Sequence, residues 1–361
     1  MASRPPNFGP WPYGHAPADV FLDPDQGTIN YGYFREYFDA VGLPLEVARA
    51  CIGERYWSLR PSPPVGSVRF IALSALRRFV KLPPYHEVKH LLVEHTDIPG
   101  FTLSGPLSMW RGRNLFATSP CVFLSHRWRS TEEPDPDGER LAALLDRLAP
   151  RAAQPTAANQ GEIYLWIDYA CLPQRTGRAP LTAEDAASLR AGLASLPEIV
   201  KSCDLLVLDS PDYMERVWCY TELFVWLTKI AEVSDNLTGR PLFDSVLTRL
   251  SSSPAAPSRT QELLSSTQFV HENAAFRGFP GTADDLAAVY QPISTYCAGT
   301  IESAGYTLGA VDHEYVPHLI RFMCNSWYLL QQKHCTVADD RELCLQVITR
   351  ALTFVNDTLR R

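Results

Sequence analysis

The apolar positions of the chain change their period near Pro120. Before it the spacing is helical. Tyr33, Phe34, Tyr37, Phe38 and Val41 recur at three- and four-residue intervals and predict a helical stretch over 31–60. Pro61, Pro63 and Pro64 interrupt that pattern. Two further helices are predicted over 67–80 and 85–95, and 100–120 reads as loop. Residues 1–30, rich in Pro and Gly, predict an extended arm. After Pro120 short, continuous apolar runs take over. Cys121-Val122-Phe123-Leu124-Ser125 has the texture of a strand buried on both faces. A helix is predicted over 139–148, and Ile163-Tyr164-Leu165-Trp166-Ile167-Asp168 is a second such strand. A loop and a helix over 183–202 follow, then a third strand over 204–209. A helix carrying Trp218 and Glu222 comes directly after it.

Strand alternating with helix three times over implies crossover connections and a parallel sheet flanked by helices. Ligands in such sheets sit beyond the carboxyl ends of the strands, at the switch point. Those ends are Ser125–Trp128, Asp168–Gln174 and Ser210–Tyr213, all rich in polar and aromatic residues. Past Trp226 a helix and strand are predicted over 261–271 and a helix over 283–290. Two C-terminal helices carry Leu319, Phe322, Met323, Leu329 and Leu330, then Leu343, Val347, Ile348, Leu352 and Val355. The expected organisation is an N-terminal arm and helical region over 1–116, an α/β domain over 117–300 and a helical extension over 301–361.

Composition narrows the function classes. With 361 residues and 46% hydrophobic content the chain can bury a large core. The formal net charge is −7, and 40 acidic residues outweigh 33 basic ones, which argues against nucleic acid as a partner. Nine cysteines are scattered without a CxxC pair, against both a disulfide scaffold and a structural zinc site. Reduced thiols in the cytoplasm fit better. No apolar segment resembles a signal peptide or a membrane span, so no membrane partner is expected. The sequons at Asn236 and Asn356 carry no weight without an export signal.

One spacing points to chemistry. Trp218 and Glu222 are four residues apart and share a helix face, with Trp226 a turn further on. A flat ring beside a partly desolvated acid suits a site that grips a ring and does acid, base or charge-stabilising chemistry. The same spacing also fits a core tryptophan beside a solvated helix charge.

Three motifs then line up in order. Phe123-Leu124-Ser125-His126-Arg127 resembles the first strand of TIR (Toll/interleukin-1 receptor) domains. Ile167-Asp168 resembles their second-strand signature. Leu206-Val207-Leu208-Asp209-Ser210-Pro211-Asp212-Tyr213, followed by Arg216-Val217-Trp218-Cys219-Tyr220-Thr221-Glu222-Leu223, resembles their V-L-S-x-x-Y and W-C-x-x-E-L stretch. The likeness covers roughly 120–230. One block departs from it. Tyr164-Leu165-Trp166-Ile167-Asp168-Tyr169-Ala170-Cys171-Leu172-Pro173-Gln174 is similar to the LWID-x-x-C-x-x-Q block of fungal heterokaryon-incompatibility (HET) domains, which also carry a Trp-x-x-x-Glu segment.

The resemblance implies a flavodoxin-like α/β fold and cleavage of the nicotinamide–ribose bond of NAD+, taken as substrate and not as cofactor. It places Glu222 as the catalytic carboxylate. Nicotinamide leaves as a neutral molecule, so no general acid is required, and an ionised carboxylate can stabilise charge building on the ribose. Trp218 stacks on a ring, walls the pocket or packs in the core. Arg127 either forks the pyrophosphate or forms a salt bridge at a strand end. Ser125 and His126 line a ribose or phosphate pocket, Trp128 stacks on a base, and Asp168 hydrogen-bonds ribose or holds its loop. Tyr213 lines the pocket or simply packs. The loop Tyr169–Leu181 reads as a lid or as a solvated loop. No metal is implied. The family further implies a homo-oligomer and a role in immunity, cell death or as a toxin.

Other constellations explain themselves locally. Pro134-Asp135-Pro136-Asp137-Gly138 reads as a turn. Cys171 and Cys219 lack a fixed base and fit burial better than nucleophilic attack. Two other readings remain: a non-enzymatic adaptor acting by self-association, and a HET-like cell-death module. A Glu222 facing an open cleft with Arg127 would favour the enzyme, and a Glu222 buried by structural partners would favour the adaptor.

Overall fold

A computed structural model describes residues 22–23, 28–29, 31–52, 67–103, 119–129, 133–153, 162–174, 180–208, 213–226, 323–324 and 326–359. The chain divides into two compact units. One comprises Met1–Pro63, Ile230–Leu263 and Thr282–Arg361, and the other Pro64–Lys229 and Leu264–Gly281. The predicted elements over 261–271 and 283–290 lie outside the described residues.

In the first unit, β1 (Leu22–Asp23) pairs antiparallel with β2 (Thr28–Ile29). Helices α1 (Arg35–Val41) and α2 (Leu45–Ile52) follow, and Gly42, with φ +65°, ends α1 in the left-handed conformation. Phe34, Phe38, Val47 and Ala48 are buried, as the helical spacing requires. The C-terminal helix Asp340–Leu359 packs on α2 and buries Cys344, Leu345, Ile348 and Ala351. Trp327 Nε1 donates to Gly42 O at 3.0 Å and ties the preceding helix to the end of α1.

The second unit holds a five-stranded mixed sheet with flanking helices, an α/β arrangement. Along the chain it runs β3 (Arg69–Ala72), α3 (Leu73–Leu76), α4 (Tyr85–Val88), β4 (Leu92–Glu94), β5 (Cys121–His126) and α5 (Glu139–Ala152). It continues with β6 (Tyr164–Trp166), α6 (Asp168–Cys171), α7 (Ala183–Ala194), α8 (Leu196–Ser202), β7 (Asp204–Leu208) and a helix α9 over 217–226. In space the order is β4-β3-β6-β5-β7. Strand β5, the central strand of the parallel trio β6-β5-β7, is buried along its whole length and pairs in parallel with β6 on one side and β7 on the other. Phe123 stacks on its cross-strand partner Trp166, with ring centroids 4.8 Å apart and planes 12° from parallel. Because β6 and β7 flank β5 on opposite sides, the chain reverses direction at β5, and that is the switch point of the parallel part.

Two corrections follow. The sheet is not wholly parallel, since β3 runs antiparallel to both β6 and β4. The helices expected over 67–80 and 85–95 are instead strand and one-turn helix in each case, so the sheet begins before residue 117. Phe70 and Ile71 are both fully buried, which makes β3 a strand covered on both faces. A short run of that kind has no period by which to tell it from a buried helix turn. A third difference is smaller. The helix expected over 183–202 breaks at Ser195, and Pro197 lies in the first turn of α8.

The connection from β5 to α5 is pinned by one side chain. Asp135 is fully buried, and its carboxylate accepts from Leu82 N (3.0 Å), Arg140 N (2.8 Å) and Leu141 N (3.1 Å). It therefore caps α5 and ties this connection to the segment after α3. Gly138 turns the chain with φ +76°, and a Cβ there would run into the Val80 carbonyl oxygen. The Pro-Asp-Pro-Asp-Gly stretch is the turn its composition predicts. Replacing Asp135 by Ala removes the cap and strands buried N–H groups, so urea unfolding should show a loss of roughly 2–4 kcal/mol. A loss below about 0.5 kcal/mol would contradict this role.

Candidate functional site

The carboxyl ends of the three parallel strands bring most of the singled-out residues together. Strand alternation sends Ser125 and His126 to opposite sides of β5, and two polar clusters result.

The first cluster joins β5 to α9. Helix α9 follows a 3-10 turn at Tyr213–Glu215. It is buried nearly all round, not only on the face that Trp218 and Glu222 share. Over 217–226 only Trp218 is half-buried, and every other residue is buried. Such a helix belongs inside a core, and a carboxyl group on it needs a partner. Glu222, 8% exposed, receives a short hydrogen bond at Oε2 from the hydroxyl of Ser125, itself wholly buried. Tyr213, 1% exposed, sits with its hydroxyl 2.5 Å from the same Ser125 Oγ. Burial drives the Glu222 carboxyl well above the ordinary carboxyl range. The Ser125 hydrogen bond works against that rise, and the charge of Asp168 adds to it. Burial likewise pushes the Tyr213 phenol well up, with Cys219 and Glu222 adding to it, so Tyr213 keeps its proton.

The second cluster sits at the end of β6. Asp168 opens α6 and accepts from Trp128 Nε1 at 3.0 Å and from Tyr169 N at 2.7 Å. Trp128 meets the Tyr169 ring edge-on, with centroids 5.2 Å apart. Gln174 Nε2 donates to the Asp168 carbonyl at 3.0 Å and closes the turn after α6. The His126 side chain is almost entirely buried, and neither ring nitrogen has a hydrogen-bond partner among the described residues. Its Nε2 lies 3.8 Å from Asp168 Oδ1, too far for a direct hydrogen bond.

The remaining residues lie around these clusters. Arg127 is half-buried just past β5. Arg140 reaches the Leu208 carbonyl at the end of β7, at 3.5 Å. Desolvation lowers its pKa, and the nearby Arg129 and Arg127 guanidiniums press it further down while Asp135 and Cys219 act against them; Arg129 is itself paired with Asp137 and Glu139. Arg140 was not among the candidates in the sequence, and Tyr169 and Gln174 entered only as parts of the Tyr164–Gln174 block and the strand-end loop. Gln174 had a signal in its fixed spacing from Asp168, whereas Arg140 looked like any surface arginine on an amphipathic helix. Asp209–Asp212 and Arg175–Ala179 lie outside the described residues, so the lid expected over Tyr169–Leu181 is described only at its two ends. Cys171 is a structural thiol: it donates to Leu165 O at 3.6 Å, and burial pushes it up to about 12. Burial also pushes Cys219 well up. Among the described residues no His, Cys, Asp or Glu cluster could hold a metal ion, and no helix is long and apolar enough to cross a membrane.

The raised Glu222 pKa has a measurable cost. Below 4.5, the ordinary carboxyl value, the group is protonated both folded and unfolded, so it costs no stability. As pH rises from there toward the folded value, the unfolded chain ionises first and stability is lost. Glu222→Gln has no such proton. Its unfolding free energy relative to the wild type should therefore climb steadily as pH rises above 4.5 toward the raised folded value, as denaturant titrations at several pH values would read. Parallel pH profiles for the two proteins would contradict the assigned shift.

Comparison of the chain with family models, with curated proteins and with solved structures finds no match.

Proposed function

We propose that the protein is a TIR-like NAD+ glycohydrolase built on a flavodoxin-like α/β domain, with Glu222 as its catalytic residue. It releases nicotinamide and ADP-ribose, or a cyclic ADP-ribose isomer, and acts as an assembled homo-oligomer in immunity, cell death or as a toxin. One observation carries this reading. A carboxyl group is buried at the carboxyl end of the central strand, hydrogen-bonded by Ser125, at the switch point where open α/β sheets bind ligands.

The chemistry suits a single acid. At rest, burial favours the protonated form of Glu222. The pyridinium of NAD+ is a cation, and a cation alongside a desolvated carboxyl favours its ionised form. The carboxylate then faces a ribose that gains positive charge as the bond to nicotinamide breaks, in surroundings that screen the attraction poorly. Nicotinamide departs neutral, and water or an internal nucleophile takes the ribose carbon. Trp218, half-buried, lies one turn before Glu222 on the same helix. Arg127 and Arg140 lie near each other at the strand ends, and an arginine fork suits a pyrophosphate.

A second reading has its own observation. Glu222 is buried and already satisfied by Ser125, as expected of a structural acid in a non-enzymatic adaptor that works by self-association. Nicotinamide release by the purified chain, dilute and at concentrations that drive assembly, separates the two. The enzyme reading predicts turnover by the wild type and a loss of about 10²–10³-fold in Glu222→Gln. Equal release from both proteins would remove Glu222 from the chemistry. No release under any condition would leave the adaptor.

A further inference from the structure

The contact between Tyr213 and Ser125 gives Tyr213 a role that motif matching alone does not. A serine hydroxyl carries one proton. Where Ser125 gives that proton to Glu222 Oε2, the 2.5 Å contact between Ser125 Oγ and Tyr213 OH can be bridged only by the phenol proton. The two hydrogen bonds then run in one direction, from Tyr213 to Ser125 to Glu222. Each strengthens the next, because a hydroxyl that accepts a hydrogen bond becomes a better donor. We propose that Tyr213 is the positioning residue for Glu222, acting through Ser125 to fix the orientation of the carboxylate and to favour its ionised form. The proposal rests on the reading of Glu222 as the reacting acid, but its own mechanism is a property of the resting protein.

The geometry makes the device rigid. Ser125 lies on the fully buried central strand, Tyr213 opens the 3-10 turn that leads into α9, and Glu222 lies within α9 itself. The three side chains are 0%, 1% and 8% exposed. Water therefore does not compete for the Ser125 proton, and the hydroxyl cannot turn away without leaving a buried polar group unpaired. The titratable groups facing Glu222 are Tyr213 from the turn, Cys219 from its own helix and Asp168 from the start of α6. All three oppose its charge or are neutral. The Tyr213–Ser125 relay is the contact that supports the charge, and burial keeps the phenol protonated so that it remains a donor.

Two measurements on the full chain test this. Infrared titration of the Glu222 carboxyl, identified by the band that Glu222→Gln removes, reads the resting protein without turnover. Tyr213→Phe, which deletes only the hydroxyl, should move the midpoint upward. In a Ser125→Ala background, where the link is already cut, it should add no further shift. The pH profile of nicotinamide release should show its acid limb displaced in the same direction. At a fixed pH on that limb the rate should fall about threefold to tenfold, with the high-pH plateau nearly unchanged. A purely structural tyrosine would lower stability and leave both midpoints in place. If the Glu222 midpoint is unmoved in Tyr213→Phe, or moves equally in the Ser125→Ala background, the proposal is wrong. If nicotinamide release is absent while the midpoint moves as expected, the positioning stands and the enzyme reading fails. Should Tyr213→Phe not fold, Ser125→Ala against wild type carries the same titration, and an unmoved midpoint there overturns the proposal.

Discussion

A carboxyl group inside an apolar helix must find a donor, and in this protein a single serine on the central strand supplies it. Helix α9 is buried along nearly its whole length, so Glu222 cannot turn its charge to solvent. Ser125 meets it from β5, and the bond between them spans 97 residues of sequence. Strand β5 must therefore be held between its two parallel neighbours, and α9 must dock against its carboxyl end. The parallel ladders to β6 and β7 secure the first condition. The short turn from Tyr213 to Glu215 that leads into α9 secures the second.

The consequence for chemistry is a tension built into the site. Burial opposes the charge on Glu222, and Ser125 with Tyr213 behind it supports that charge. A carboxyl group kept protonated by burial responds to charge placed next to it, and a cationic ring shifts it toward the carboxylate. Active sites accumulate such groups because the cost of burial is recovered only when the right ligand arrives. The second cluster, with Trp128 and Tyr169 N holding Asp168 and His126 nearby, lies at the end of the neighbouring strand.

Much of this was legible in the sequence, for identifiable reasons. The three parallel strands stood out because a strand covered on both faces has to be continuously apolar, and 121–124 and 205–208 are. Their polar ends announced where a site would lie. The i, i+4 spacing of Trp218 and Glu222 put them on one helix. The sequence did not reveal that α9 is buried on every side, because Trp218 and Glu222 imitate an exposed stripe. Nor did it reveal β3 and β4, whose three or four residues are too few to show a period of two. Pairings across the fold left no local trace: nothing in the residues around Tyr213 announces Ser125, and nothing around Arg140 announces the end of β7. Long-range contacts of that kind are decided by packing, not by any pattern within one element.

The most direct test is infrared difference spectroscopy of the wild-type protein with and without a carbocyclic NAD+ analogue that cannot be cleaved, using Glu222→Gln to assign the bands. If Glu222 meets the cationic half of the dinucleotide, binding of the analogue will bleach the protonated-carboxyl band of Glu222 and raise a carboxylate band in its place. A bound analogue that leaves that band untouched, in the monomer and in the assembled protein alike, would contradict the assignment.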